Sequence, residues 1–540
     1  MSSALADTVI LNGNVMTMDP QCPAAQAVAV VAGRVAFTGA DAETKAYIGP
    51  GTRVIDAGGR VVAPGFIDIH THTDLRLFSD PSYRLFRNYL MQGITTVLAG
   101  NCGLGQLETG ELLRRVTEIE PAVNFAALIG HGFVRGECGV AANQRRPTRE
   151  QARAMREMIS QAMRDGAFGL SSGLEYDPGI SSETAELIEC AAVAAEHGGM
   201  YATHTRGEGD GLLASAEEAL RIARESGARL QLSHVKSDGY CNWWKTAPLI
   251  AMIEAARADG LPVSVDQYPY LAFGWNPSMF VPKEALAHGR PALLAGLADP
   301  AQRAVIKTGI ADRIRRYHNG DGDRIVIFDW TDSAGHRWRG RTVKQILTSR
   351  GTDPSVDAIA DLLIEMLAAE REDDLLGSDI STSDGAVSQY MALDYVAICT
   401  DGFNQPWLSA CHPRNYGAFP RVLGEYAREK QVISLDLALR KMTVVPARAM
   451  GLTDRGRLAP GMWADIVVFD PVTIADNATF ETAAAPSGID IVMVDGAVAV
   501  DRGSFAADRA GGAAGHVLRG PGWRRAPRDE FDGRAPSHLA

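Results

Sequence analysis

The strongest constraint on this chain is the run Gly65-Phe66-Ile67-Asp68-Ile69-His70-Thr71-His72-Thr73-Asp74, apolar in its first half and ended by two histidines one residue apart. In a β-strand residues i and i+2 face the same side, so His70 and His72 can reach one metal ion from the end of one strand. An isolated His-x-His is more often a pair of surface histidines than a pair of ligands. The weight it carries here comes from the pattern that follows it.

Short apolar runs ending in polar residues recur at 64–72, 95–102, 124–132, 167–176, 200–206, 229–236, 262–270 and 395–402. Between them lie stretches with apolar residues three and four apart, such as Arg149 to Arg164, Ser182 to His197, Leu212 to Ser226 and Trp244 to Ala258. Eight alternating strand–helix units fit a parallel (β/α)₈ TIM barrel or a doubly wound open sheet. The strand ends decide between them. In order they carry His70 and His72, Asn101 and Cys102, His131, Glu175, His204 and Arg206, His234 and Lys236, Asp266 and Tyr268, and Asp401. A barrel gathers all these ends around one mouth, where catalytic groups sit. Five of the twelve histidines fall at these ends, more than a random scatter would place there.

The flanks have another character. Residues 6–62 and 455–504 hold short alternating strands and glycine turns, and we expect them to pair into one small β-sandwich domain built from both chain ends. The expected domains are thus 1–62 with 450–505, a barrel over 63–449 and a C-terminal tail over 506–540 that is loosely packed or wrapped on the surface. An insertion over 271–394 separates the seventh and eighth strands, with helical segments at Pro300 to Arg316 and Val356 to Leu367. It reads as a lid or specificity element, or as a structural or oligomerisation module.

A hydrophobic content of 46% supports a large core, while a net charge of -12 without blocks of like charge argues against nucleic acid or an anionic membrane as main partner. A small-molecule ligand is expected, with oligomeric state open. The N-terminus shows no signal-peptide pattern and no long apolar stretch occurs, so the expected location is cytoplasmic. Seven scattered cysteines without CxxC spacing fit reduced thiols, most of them small core residues.

Cys102 is the exception. Zinc favours His nitrogen and Cys sulfur, and a catalytic site leaves a position open for water. Cys102, His204 and His234 would make such a three-ligand site, with His70, His72 and Asp401 a second, more open cluster. Asp401 is placed to take a proton from water and pass it to a leaving group. No lysine lies between Lys45 and Lys236, so a carbamylated lysine from the first five strands cannot bridge two metals, and Cys102 or Glu175 would have to do so.

The segments Gly65-Phe-Ile-Asp-Ile-His-Thr-His-Thr-Asp, Gly100-Asn-Cys-Gly103, Gly130-His-Gly132, Gly173-Leu-Glu-Tyr-Asp-Pro-Gly179, Thr203-His-Thr-Arg206, Ser233-His-Val-Lys236, Asp266-Gln-Tyr-Pro-Tyr270, Thr400-Asp-Gly402 and His412-Pro-Arg-Asn-Tyr-Gly417 together resemble the N-acyl-D-amino-acid deacylase (D-aminoacylase) branch of the amidohydrolase superfamily. The resemblance runs in order from about residue 6 to 505, and its narrowest elements are Gly-Asn-Cys-Gly, Ser-His-x-Lys and His-Pro-Arg. It implies a zinc-dependent hydrolase of N-acyl-D-amino acids, with Cys102, His204 and His234 on a tight metal, His70, His72 and Asp401 lining a weaker second position, and Asp401 as general base then acid. It also implies that Lys236, Tyr268 and Arg414 bind the substrate carboxylate, which suits their charge; the other reading of Lys236 and Arg414 is a supporting salt bridge. His131, Glu175 and Arg206 are expected in supporting positions, with Glu175 orienting a ligand or touching substrate. One departure is Leu271-Ala-Phe-Gly-Trp-Asn-Pro-Ser278, bulkier than the hydroxyl-rich run of the family, so side-chain and acyl preference stay open, and D-selectivity rests on the resemblance alone. Other amidohydrolase reactions, on cyclic amides, lactones or bulky N-acyl compounds, are the alternative. A non-catalytic scaffold is the reading from another class, and the full set of candidate ligands speaks against it.

Overall fold

All eight expected strands form, and they close on themselves. The structure is a computed structural model and describes residues 5–286, 289–369, 376–409, 411–507 and 514–524. The strands are β1 (Phe66–Asp68), β2 (Ile94–Ala99), β3 (Asn124–Ala127, continued by Ile129–Gly130), β4 (Gly169–Gly173), β5 (Met200–His204), β6 (Arg229–Leu232), β7 (Val263–Gln267) and β8 (Val396–Ile398). Each pairs in parallel with the next, the Ile129–Gly130 continuation carrying the pairing from β3 to β4. The ring closes where the Asp401 N–H donates to the His70 carbonyl and the His72 N–H to the Gly402 carbonyl. An open doubly wound sheet would leave β1 and β8 unpaired, so the (β/α)₈ barrel is the architecture.

The helices between strands start and stop on local signals. The Arg149–Asp165 helix is capped by Thr148, whose hydroxyl accepts the Gln151 N–H while the Gln151 side chain accepts the Thr148 N–H. It ends at Gly166, whose φ of 114° a side chain would strain.

The two chain ends meet in a pair of sheets. One sheet has the order Arg34–Gly39, Ala27–Val31, Thr8–Leu11, Arg53–Asp56; the other runs Ser504–Phe505, Ala497–Asp501, Ile489–Val494, Ile466–Phe469, Val61–Pro64, Asn14–Met16, Ala24–Ala25. Ile466-Val-Val-Phe469 reads apolar throughout because both of its faces are covered. Ile466 and Val468 pack with Ile10, Val28 and Val35 between the sheets, whereas Val467 and Phe469 join the core shared with the barrel.

The insertion is more than a helical lid. Its helices Pro300–His318 and Val356–Ala369 enclose, with Trp275, Phe280 and Ile327, an apolar core of its own. It also carries an antiparallel sheet in the order Ala272–Trp275, Gly377–Ile380, Ile325–Thr331, Arg337–Thr342 that the sequence pattern did not reveal. It leans on the barrel mouth through the Ser381 carbonyl, which accepts the Gly239 N–H and the Trp243 indole N–H.

Residues 514–524 of the tail strap the opposite end of the barrel. Phe125 in β3 donates to His516 and accepts from Leu518, and Gly520 donates to Gly166. The remainder of the tail, 508–513 and 525–540, lies outside the described residues. No helix among the described residues is long and apolar enough to cross a membrane.

Candidate metal centre

The C-terminal ends of seven strands bring one thiol, four imidazoles and several carboxylates together. Cys102 Sγ, just beyond β2, lies 3.3 Å from His70 Nε2, 3.5 Å from His234 Nε2 and 4.0 Å from His204 Nδ1. Asp401 Oδ1 is 3.6 Å from the same His70 Nε2 and 3.0 Å from His72 Nε2. The groups His70–Cys102–His234, His70–His72–Asp401 and His204–Glu208–His234 each place their ligand atoms within 4.8 Å of one another. His70 therefore lies within reach of both the cysteine cluster and the cluster of His72 and Asp401.

The backbone is bent to make this possible. Cys102, His234 and Asp401 all lie at positive φ, 56°, 32° and 49°, which side chains rarely adopt and which concentrates at functional sites. Gly100 and Gly103 flank Cys102 at φ 74° and 71°, and a Cβ on Gly100 would come 2.3 Å from the Leu128 carbonyl oxygen. The Gly-x-Cys-Gly spacing is what lets β2 turn sharply and present the sulfur inward.

Three carboxylates stand behind three of the imidazoles. Asp266 Oδ1 is 3.3 Å from His70 Nδ1, Glu208 Oε1 is 2.9 Å from His234 Nδ1, and Glu175 Oε2 is 3.3 Å from His204 Nε2. In each case the ring nitrogen opposite the carboxylate is the one that faces Cys102. That is the carboxylate–histidine–metal arrangement, in which the outer carboxylate fixes the tautomer and frees the inner lone pair.

The electrostatics run the same way. Burial works against ionising Cys102, but His70 and His234, with a hydrogen bond from His204, override it and hold the thiol well below its usual range. Burial also opposes charging of His72 and His204, yet their anionic neighbours, Asp401 and Cys102 for one and Glu208 and Cys102 for the other, push them up to about 9 and about 10. Asp401 is held well below the carboxylate range against its own burial, by Arg414 and His72 foremost. Four carboxylates (Glu175, Glu208, Asp266, Asp401) and a thiol of depressed pKa face one ammonium, Lys236, and one guanidinium, Arg414. A buried divalent cation can replace the protons that His72 and His204 otherwise hold against these anions, so thiolate, imidazole and carboxylate here fit a metal such as zinc.

The other expected residues distribute as follows. Lys236 Nζ lies 2.6 Å from Glu208 Oε1, and Arg414 Nη1 2.7 Å from Asp401 Oδ2, so both cations are already paired. Tyr268 sits between them, its hydroxyl buried without a hydrogen-bond partner among the described residues and its ring 4.9 Å from the Arg414 guanidinium. Arg206 turns away, to Glu218 and the Ile180 carbonyl, and His131 pairs with Glu186 beside Arg135. Phe403 stacks on His72 at 5.0 Å and Tyr176 edges His204 at 5.2 Å, giving the mouth an aromatic rim. Glu208 was missed by the strand-end reading because it lies in the loop beyond β5; its one sequence signal is an acid four residues after His204.

Both the sequence and the fold have known relatives. A sequence profile of the amidohydrolase family matches residues 53–271 and 407–500. The chain is 34% identical over 470 residues to N-acyl-D-glutamate deacylase of Alcaligenes xylosoxydans xylosoxydans, covering 83% of this chain and 85% of that one. It is 33% identical over 485 residues to D-aminoacylase of the same organism, with 85% and 88% covered. The crystal structure of N-acyl-D-glutamate deacylase from Bordetella bronchiseptica, complexed with zinc and a phosphonate mimic of the tetrahedral intermediate, superposes with a TM-score of 0.76 at 30% identity, covering 95% of this chain and all of that one. D-hydantoinase, at 14% identity and a TM-score of 0.55, shares the fold. With its closed barrel, its metal-ligand cluster at the strand ends and this match over most of its length, the chain belongs to the amidohydrolase family.

Proposed function

We propose that this protein hydrolyses the amide bond of N-acyl-D-amino acids, releasing a carboxylate and a free D-amino acid. It is a hydrolase of linear amides, and the observation that carries the reading is the convergence of Cys102, His70, His204, His234 and Asp401 at one barrel mouth, in a chain about a third identical to N-acyl-D-amino-acid deacylases over most of its length. We take the metal to be zinc, held most tightly by Cys102, His204 and His234 with His70 adjacent, and more weakly at His70, His72 and Asp401. When bound, it supplies an electrophile for the scissile carbonyl and an acidified water.

The chain's own groups do the rest. Asp401 takes the proton of the attacking water on Oδ1 and returns it to the departing amine, a role suited to a carboxylate that stays ionised beside Arg414 and His72. Lys236, Tyr268 and Arg414 receive the substrate carboxylate. The unpartnered Tyr268 hydroxyl is free to donate to it, and the two cations remain charged although each already has an anionic neighbour. Phe403 and Tyr176 limit water at the reacting atoms. A cytoplasmic location belongs to the same reading, on the strength of seven free cysteines and no disulfide among the described residues.

The test is amine release by zinc-loaded protein from matched N-acyl D- and L-amino acids, with Cys102→Ala as control. D-selective turnover absent from the control is the expected result. Zinc-replete protein that turns over none of these compounds would end the proposal.

A further inference from the structure

The residue that joins the metal centre to the substrate-facing lysine is Glu208, and its position resolves a conflict between those two groups. Lys236 Nζ lies 3.0 Å from His234 Nδ1. A charged ammonium can only donate, so left to itself Lys236 would make Nδ1 an acceptor. The remaining proton of a neutral imidazole would then sit on Nε2, the nitrogen 3.5 Å from Cys102 Sγ, and His234 could not offer a lone pair there. Glu208 stands between them. Its Oε1 is 2.6 Å from Lys236 Nζ and 2.9 Å from His234 Nδ1, so one anionic oxygen can accept from both and leave Nε2 unprotonated.

We propose that Glu208 is a positioning residue for hydrolysis: it sets the tautomer of His234 for metal binding against the competing donor Lys236. Glu208 also lies within 4.8 Å of ligand atoms of His204 and His234, but it and Cys102 approach opposite nitrogens of the His234 ring, so a metal held by Cys102 at Nε2 is not one Glu208 reaches through that ring. Glu208 is 8% exposed, and with the Lys236 ammonium 2.6 Å from Oε1 its carboxylate serves as the acceptor. The arrangement also couples the two ends of the site. A substrate carboxylate that draws the Lys236 ammonium towards itself loosens its hold on Glu208 and leaves that oxygen more fully to His234.

The inference rests on the metal centre of the proposed function, not on its substrate, and is tested with metal alone. Cobalt-loaded protein is titrated with a chelator while the thiolate-to-cobalt absorption is followed, for the parent, Glu208→Gln, and Glu208→Gln combined with Lys236→Met. Glu208→Gln should fill with cobalt in excess metal and keep the absorption, yet give up the metal about 10- to 100-fold more readily. The double variant, with the competing donor gone, should recover most of the lost retention, since the carbonyl of the substituted amide side chain can then accept the His234 Nδ1–H. Glu208→Asp, which keeps the charge, should fall between parent and Glu208→Gln, and it carries the test should Glu208→Gln fail to fold. Unchanged retention in Glu208→Gln, a double variant no better than the single, or loss of the absorption at saturating cobalt would each overturn the proposal. Absence of deacylase turnover would overturn the proposed function and leave this result standing.

Discussion

Two clusters of buried charge lie at opposite ends of the barrel, and they differ in how nearly they are complete. At the base, Arg455 pairs with Asp465 and, at 3.3 Å, with Asp495; Asn124 and the Asp495 N–H donate to Asp465, and His516 of the C-terminal strap donates to Asp495. All four carboxylate oxygens there have a donor within the protein, and the buried Arg455 Nε is left without a hydrogen-bond partner among the described residues. At the mouth, His72 Nδ1, the Tyr268 hydroxyl and Arg414 Nε are buried without a hydrogen-bond partner among the described residues, and carboxylates outnumber fixed cations. A closed network welds strap, sandwich and barrel together. An open one is built to receive something from outside, which is why the same residue types serve structure at one end and chemistry at the other.

The comparison predicts that substitutions at the mouth cost activity more than stability and that substitutions at the base do the reverse. Asp401→Asn is the strongest case: turnover should fall about 10²- to 10⁴-fold while the metal held by Cys102, His204 and His234 is kept, measured by steady-state kinetics alongside metal analysis. Retained turnover would remove Asp401 from proton transfer. Arg455→Met should leave the turnover of folded protein near that of the parent and lower unfolding stability by about 3–5 kcal/mol, because two buried carboxylates lose their cation. Urea denaturation reads it, and a loss below about 1 kcal/mol would mean the base network is not closed. Gly100→Ala sits between these two classes. At φ 74°, with its Cβ against a backbone carbonyl at 2.3 Å, it should cost about 1–3 kcal/mol and displace Cys102, so that stability and chelator resistance fall together.

What the sequence made legible follows the same division. The barrel strands could be read because each apolar run stops at a chemically distinctive residue, and a parallel barrel puts every such stop on one rim. The ligand cluster was legible for that reason. How its members face one another was not: His70 bridges both halves only because the Asp401 and His72 amides lock β1 against the end of β8, a register no local pattern encodes. Arg206 occupies a strand end like the others, yet the chain turns there and its guanidinium goes outward to Glu218 on the Leu212–Ser226 helix. Glu208 is the converse, a loop residue folded inward by contacts distant in sequence. In the insertion, Ala272–Trp275 pairs with Gly377–Ile380 about a hundred residues later, so its two helices were visible in the periodicity and its sheet was not.

The smallest expected effect tests the edge of the base network. His516 is the one member of that network with a largely exposed side chain, 58%, and its hydrogen bond to Asp495 raises its pKa above the ordinary histidine value. Asp465 and Arg455 also face it across the junction, and its ring lies 5.4 Å from that of Trp463. A histidine whose folded pKa is raised adds stability that is fully present below its unfolded value, about 6.5, and is lost as pH rises through the folded one. With solvent screening the contribution should stay under about 1 kcal/mol. Denaturation midpoints of the parent at pH 5.5 and 8.5, compared with those of His516→Gln, should show a small extra stability at the lower pH that the variant lacks. Hydrogen exchange at Leu518, whose amide bonds to Phe125, should quicken at pH 8.5 beyond the intrinsic pH effect in the parent, and the variant should show that faster opening at both pH values. An identical pH response in parent and variant would mean that the strap is held by its backbone pairing with β3 alone, and that the closed network ends at Asp495.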